Sequence, residues 1–381
     1  MRIALVHRDL HAVTRGGICT LYRALAPRLR DAGHEVTLIT QHTPHPVALQ
    51  GISVLTLPRT EDLDAHRRAV AEVLVAVRPD VVESSSWEAE TLHYARRPAA
   101  TRAPVVVRGD LSAATMRACP HLITAERDLL HLAGAVLAVS EFAADDLATA
   151  YRIPRPVVVA NGIDRDRFHP GRAAAPTSGY QVTLAADGTA ATSRPLSGRH
   201  RLPPPWGDPG ASRRRLVWVG KTTPMKGWDR LEHLATALAE LAHTTVLLGH
   251  APALSPITLH GTENELTILR DLHDDDLPCF YQAADFLLCT SRWEGFGLAI
   301  GEALACGTPV LLPAELGVAP ELLAAGGGHT YRGTHDLRAI LTSGTKPVGV
   351  LPAVFDWDRT TAATLRIYQA LREHPDRTVG A

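Results

Sequence analysis

Short β-branched and aliphatic runs alternate with stretches carrying an apolar residue every three or four positions through the first 160 residues or so. The runs Ile3–His7, Glu35–Thr40, Ile52–Leu57, Val81–Glu83, Val105–Arg108, Ala135–Val139 and Val157–Ala160 predict strands, and the spacing predicts helices near 17–32, 61–78, 121–132 and 141–151. Such alternation is the mark of a doubly wound sheet. From residue 171 to about 213 the pattern gives way to Gly, Pro, Ser and Ala, with only Tyr180–Leu184 reading as a strand, so a domain boundary carrying an insertion is expected there. Alternation then resumes, with strands at Leu216–Val219, Thr245–Leu248, Leu266–Leu269, Phe286–Cys289 and Val310–Leu312 and helices near 226–241, 275–283 and 298–305. Asp358–Glu373 reads as one amphipathic helix, with Leu365, Tyr368 and Leu371 on one stripe. Two α/β domains in tandem follow from this pattern.

Composition agrees and narrows the function. The 381 residues suit two domains, and 45% hydrophobic with 21% charged residues is an ordinary globular balance. A formal charge of −1 leaves no global positive field to recruit nucleic acid. The five cysteines show no C-x-x-C spacing, which argues against a zinc site or a disulfide framework. The apolar start turns polar at His7, Arg8 and Asp9, too soon for a signal peptide, and no run approaches the ~20 apolar residues of a membrane span. A soluble, cytoplasmic protein is the expectation. Of 39 basic residues only Lys221, Lys226 and Lys346 are lysines, a bias that suggests a GC-rich genome.

Three constellations could carry chemistry. Thr290 to Pro309 follows a predicted strand and contains Glu294, Gly295, Phe296, Gly297, Leu298 and Glu302. A helix over Leu298–Ala305 would open at the carboxyl edge of the sheet, where its N-terminus offers amides and about half a positive charge to an anion such as phosphate. Glu302 among apolar neighbours calls for a hydroxyl partner, although a wet helix face explains it as well. In the second constellation, Gly220, Lys221, Lys226 and Gly227 form a strand–loop–helix in which two of the three lysines fall within six residues. That placement suits a diphosphate, with a solvated loop as the plain alternative. Third, Gly16 and Gly17 open the first long helix, but lack the G-x-G-x-x-G spacing of a dinucleotide site. Asp274, Asp275 and Asp276 are better explained as the cap and first turn of a helix than as a metal cluster. His7, His11 and His93 read as structural residues.

Glu294 and Glu302, within the run from Glu294 to Val310, resemble the signature of the retaining nucleotide-sugar glycosyltransferases of family 4, which have the GT-B fold. The Val219–Gly227 segment resembles their diphosphate loop, and Val159–Pro170 the segment closing their first domain. His34–Leu38 and Phe355–Trp357 also match. The resemblance implies two Rossmann-like domains facing across a cleft: an acceptor-binding domain at 1–170, a linker or insertion at 171–213, a nucleotide-sugar-binding domain at 214–357, and a helix within 358–381 packing back on the first domain. It implies that Glu294 holds donor-sugar hydroxyls and that Gly295, Phe296, Gly297 and Leu298 offer amides to sugar and phosphate. Glu302 would bind ribose, Lys221 and Lys226 would neutralise the leaving diphosphate, Arg270 and Leu272 would border the base, and Gly16 and Gly17 would lie near the phosphates.

Two positions depart from the family pattern. Lys221 stands where arginine is usual, and Gly109-Asp110 stands where a histidine near the reacting sugar is usual. Asp110 would then orient the acceptor or balance an oxocarbenium-like charge, or simply be a turn residue. The implied mechanism is front-face, with no metal or other cofactor. Residues 1–170 carry 20 basic and 19 acidic side chains, which favours a small soluble acceptor over a membrane surface. With the GC-rich bias, that suggests an actinobacterial pathway to an aminoglycoside or nucleoside antibiotic. The alternatives are a polysaccharide or lipid-linked sugar transferase, a non-catalytic sugar-nucleotide-binding protein and a nucleotide-sugar epimerase.

Overall fold

The structure, a computed structural model, describes residues 1–12, 16–171, 176–184, 190–196, 213–248 and 266–373; for 183, 184 and 190–194 it describes the backbone alone. Two compact units emerge, one taking Met1–Gly162 with the chain from Val354 onward, the other Ile163–Ala353.

The first unit runs β1 (Arg2–Val6), α1 (Gly17–Asp31), β2 (Glu35–Gln41), β3 (Ser53–Leu57), α2 (Leu63–Val77), β4 (Val81–Ser85), the one-turn α3 (Leu92–Ala95), β5 (Val105–Gly109), α4 (Pro120–Leu132), β6 (Ala135–Ala138), α5 (Glu141–Tyr151) and β7 (Val157–Val158). Every pairing is parallel, in the order β3-β2-β1-β4-β5-β6-β7. Strands β4 and β5 are buried along their whole length, and both open on consecutive valines rather than an alternating pattern before turning polar at Glu83 and Arg108. Helix α1 buries Cys19, Leu21, Tyr22, Leu25, Ala26 and Leu29, the stripe expected at helical spacing. Asp62 caps α2 by accepting from the amides of Asp64 and Ala65, and Ser140 caps α5 by accepting from the amide of Ala143.

The second unit runs β8 (Tyr180–Leu184), β9 (Ala190–Pro195), β10 (Arg214–Gly220), α6 (Trp228–Leu238), β11 (Ala242–Leu248), β12 (Leu266–Arg270), α7 (Leu277–Ala283), β13 (Phe286–Leu288), α8 (Leu298–Ala305), β14 (Val310–Pro313), α9 (Ala319–Leu322), β15 (Gly328–Tyr331) and α10 (Thr334–Thr342). The strand order is β15-β14-β13-β10-β11-β12-β8-β9, parallel except where β8 pairs antiparallel with β12 and β9. Part of the stretch expected to be linker is thus a hairpin that widens this sheet; residues 197–212 of it lie outside the described residues. Residues 163–170 also belong here rather than with the first unit. Arg167 pairs with Asp275 at 3.2 Å, Arg165 donates to the Pro352 carbonyl, and the Phe168 ring meets Tyr281 edge-on at 6.1 Å.

The last helix, α11 (Trp357–Glu373), completes the first unit by packing on α1. Its Tyr368 hydroxyl donates to Glu83 Oε2 at 2.6 Å. Arg108 donates to both oxygens of Glu83, at 2.9 and 3.1 Å, and to Thr364 Oγ1 at 2.9 Å. Both charged side chains are fully buried. Burial works against the Arg108 charge, but the Glu83 carboxylate outweighs it and raises the guanidinium's pKa. Among the described residues no helix is long and apolar enough to cross a membrane.

Candidate active site

Strand β10 lies inside the second sheet, with β11 on one side and β13 on the other. The loops leaving the carboxyl ends of β10 and β13 therefore diverge around a topological switch point, where open α/β sheets take their ligands. These two loops are the two constellations singled out in the sequence.

The β10 loop is tightly shaped. Thr223 Oγ1 accepts from the Lys226 amide, Pro224–Lys226 make one 3₁₀ turn, and Gly227 ends it at φ 66°. A Cβ at Gly227 would lie 2.0 Å from the Thr290 carbonyl oxygen, so the close approach of the two loops requires glycine. Thr290 accepts from Trp218 Nε1 at 2.9 Å and shares its own proton between the carbonyls of Lys226 and Gly227. Arg292 adds its backbone amide to Met225 O and its guanidinium to Pro224 O and Asp229.

This stitching brings Lys226 Nζ to 2.6 Å from Glu294 Oε1, which also accepts from Ser291 Oγ at 2.7 Å. The Lys226 side chain is 24% exposed and that of Glu294 13%. Lys221 sits exposed at the start of the same loop. After Glu294 the chain passes through Gly295, the buried Phe296 and Gly297 at φ 81° before α8 begins at Leu298, and no side chain caps that helix. Glu302, the fifth residue of α8, accepts from the Tyr281 hydroxyl at 2.7 Å. Burial raises the Cys289 thiol to about 11 and the Cys306 thiol to about 12, with the charges of Glu294 and Glu302 adding to the effect. Both cysteines are therefore protonated and inert near neutral pH.

Arg270 ends β12 with its Nε 2.9 Å from Asp271 Oδ2, and Leu272 is buried under Gly179 at the entry to β8. Asp274–Asp276 form a 3₁₀ turn leading into α7, where the Asp276 carboxylate accepts from the Thr177 amide and from the hydroxyls of Thr177 and Ser178. Among the described residues no three His, Cys, Asp or Glu side chains gather as a metal-binding group.

Gly16, Gly17 and Asp110 belong to the first unit. Helix α1 starts at Gly17 without a side-chain cap, and a Cβ there would lie 3.5 Å from Asp110 Oδ2, so the residue after β5 meets the N-terminus of α1. A carboxylate is electrostatically favoured at that end of a helix. Thr14 and Arg15, beside these glycines, lie outside the described residues.

Several participants escaped the sequence reading. Tyr281 is an apolar-stripe residue of α7 that turns its hydroxyl to Glu302, and Ser291 is one more polar residue in a loop. His7 is no lone histidine, since its Nδ1 lies 3.0 Å from the carboxylate of Glu90.

Comparison with known proteins gives one direction. Residues 15–167 match the family model Glycosyltransferase Family 4, and residues 210–334 match Glycosyl transferases group 1. A D-inositol 3-phosphate glycosyltransferase of Xylanimonas cellulosilytica is 26% identical over 316 residues, covering 76% of this chain and 69% of that one. Across such curated relatives the matched part spans 48% to 69% of their length. Sucrose-phosphate synthase from Thermosynechococcus elongatus superposes with a TM-score of 0.76 at 17% identity, over 97% of this chain and 98% of that one. Anabaena HepE in complex with UDP-glucose gives 0.63 at 17% identity, over 98% of each. At these identities the two structures show a shared fold, GT-B.

Proposed function

The chain belongs to the family-4 glycosyltransferases, and from that premise we propose that it moves a sugar, with retention of configuration and without a metal ion, from a nucleoside diphosphate sugar to a hydroxyl of a small soluble acceptor. The observation that carries this reading is the Lys226–Glu294 pair at 2.6 Å, set between the β10 loop and the entry to α8.

In the unliganded pair the two charges satisfy one another. A diphosphate offers Lys226 a partner of higher charge, and Glu294, released from the ammonium, turns to the hydroxyls of the donor sugar. Lys221, Lys226 and the uncapped start of α8 then stabilise the negative charge that grows on the leaving diphosphate. Glu302, held from one side by Tyr281, takes the ribose hydroxyls, and Arg270 and Leu272 border the base. The leaving phosphate oxygen accepts the proton of the incoming hydroxyl on the face it departs from, so no separate general base is assigned.

For the acceptor, two observations agree. The near-balanced charge of residues 1–170 attracts anionic membranes weakly. The relatives are named for an inositol phosphate, a small water-soluble polyol, and a phosphorylated polyol is the first acceptor to assay, ahead of an aminoglycoside or nucleoside. UDP-glucose, bound to a protein of similar fold, is the first donor.

A thermal-shift panel of UDP, GDP and ADP, followed by NMR of the anomeric proton of any transferred sugar, tests the proposal. One nucleoside diphosphate at 100 times its dissociation constant should stabilise the protein by about 2.7 kcal/mol. Absence of any shift, or a product of inverted configuration, would refute it.

A further inference from the structure

The first sheet reverses as the second does, at β1, with β2 on one side and β4 on the other. Its ligand-taking crevice therefore lies between the loops that follow β1 and β4. His7 is the first residue after β1, and Glu90 lies in the loop after β4. Their pairing is elaborate for a structural contact. Glu90 is buried to 1% exposure and bridges two imidazoles, its Oε1 3.0 Å from His7 Nδ1 and its Oε2 2.8 Å from His66 Nε2. Behind His66, the Gln41 amide nitrogen donates to the Thr60 carbonyl at 3.4 Å and lies 3.0 Å from His66 Nδ1. The loop is bent to deliver this carboxylate, since Glu88 and Ala89 both take left-handed backbone angles (φ 62° and 49°) and Arg67 clamps the Glu88 carbonyl with two hydrogen bonds. Strain of that kind at non-glycine residues collects at functional sites.

The chain of bonds fixes which nitrogen of His7 meets the carboxylate. Burial opposes ionisation of Glu90, but hydrogen bonds from His66 and His7 more than offset it and hold the acid at about 2. An ionised carboxylate only accepts, so His7 donates from Nδ1, and in the neutral ring this leaves Nε2 as the lone pair. A buried carboxylate orienting an imidazole in this way is the arrangement that catalytic triads use to aim a ring nitrogen. The His7 side chain is 15% exposed against 1% for Glu90, and among the described residues its Nε2 has no hydrogen-bond partner.

We propose that His7 is an acceptor-binding residue whose Nε2 accepts a hydrogen bond from a hydroxyl of the sugar or polyol acceptor, with Glu90 as its positioning residue. The proposal rests on the glycosyltransferase reading for the nature of the ligand and on the first unit alone for its geometry. The hydroxyl that His7 fixes need not be the one that reacts, so the proton of the transfer step still leaves with the phosphate.

Nitrogen-15 NMR of the imidazoles, combined with kinetics, provides the test. Neutral His7 should show Nδ1–H and an unprotonated Nε2; the opposite tautomer overturns the proposal. With UDP-glucose as donor and inositol 3-phosphate, myo-inositol and glucose as acceptor probes, His7→Ala should raise the acceptor KM at least tenfold while the UDP-induced thermal shift stays the same. His7→Gln, whose amide oxygen can accept at the place of Nε2, should recover most of that loss. Glu90→Gln, able to donate to Nδ1 and so reverse the tautomer, should reproduce the Ala defect. Unchanged acceptor kinetics in His7→Ala, or an equal loss of the UDP shift, overturns the proposal. Should the wild type transfer to none of the probes, the functional reading fails by itself. The His7 Nε2 resonance then decides: movement on saturation with a polyol supports the role, and an unmoved signal ends it.

Discussion

Breaking the Lys226–Glu294 pair from its two sides should move nucleotide affinity in opposite directions. Lys226→Met removes the ammonium that would meet the diphosphate. Two unit charges about 4 Å apart interact by about 4 kcal/mol at an effective dielectric constant of 20. The side chain's 24% exposure admits solvent screening, so the realised loss should be about 2 kcal/mol, close to thirtyfold in the UDP dissociation constant. Glu294→Gln leaves the ammonium in place, held by a weaker neutral partner, and should tighten UDP severalfold. The same change removes the group assigned to the donor sugar, so transfer from UDP-glucose should fall by about 100-fold, in the range of other losses of a transition-state contact. Because both side chains are partly exposed, unfolding free energies should change by no more than about 1 kcal/mol. Calorimetric titration of UDP into the three proteins at one low salt concentration, with turnover measured in parallel, is the assay. If Glu294→Gln weakens UDP as much as Lys226→Met does, the two residues do not compete for one another as the geometry says, and the assignment falls.

Three further outcomes are expected. Glu302→Ala should weaken UDP binding while Tyr281→Phe, which loses only one hydrogen bond to Glu302, weakens it less; calorimetry that ranks them the other way would dismiss the ribose role. Arg108→Met should cost 3–5 kcal/mol, roughly, in urea unfolding because Glu83 is left charged inside the first unit, and adding Glu83→Gln should restore part of that; strictly additive losses would contradict the buried pair. Glu90, held at about 2 against an ordinary value of 4.5, adds stability that is complete above its unfolded pKa and is lost as the pH falls toward 2. Glu90→Gln should therefore flatten the pH dependence of unfolding between about pH 4.5 and 2, on the order of 3 kcal/mol, and an unchanged acid limb would reject the two-histidine clamp.

Much of this was legible in the chain because β-branched and aliphatic residues cluster in short runs while helices repeat apolar residues every three or four positions. Strand β8 and helix α8 fall on the residues their patterns indicate, Tyr180–Leu184 and Leu298–Ala305. Elements at the margins were not legible. Strand β15, Gly328–Tyr331, is short, half polar and starts with glycine, and β9, Ala190–Pro195, carries no apolar alternation. The unit boundary at Gly162 was hidden because Ile163 and Phe168 are apolar whichever core receives them. Within the site, glycines, acids and lysines announced themselves by type and spacing. The bridge of Glu90 to His7 and His66 joins residues 83 and 24 positions apart and has no local signature, so each histidine looked solitary.

Helix α11 makes the first unit discontinuous, with nearly 200 residues of the second unit intervening between β7 and the helix whose Tyr368 joins Tyr22 in one core. On the ribosome, the N-terminal sheet emerges long before its cover, and Glu83 and Arg108 stay open to water until the final turns of the chain are made. The second unit, by contrast, is one uninterrupted stretch that can finish while translation continues. Order of synthesis is thus the reverse of order of completion: the half of the molecule made first is sealed last, and a transcript cut short before residue 357 yields an intact second unit attached to an uncovered first one.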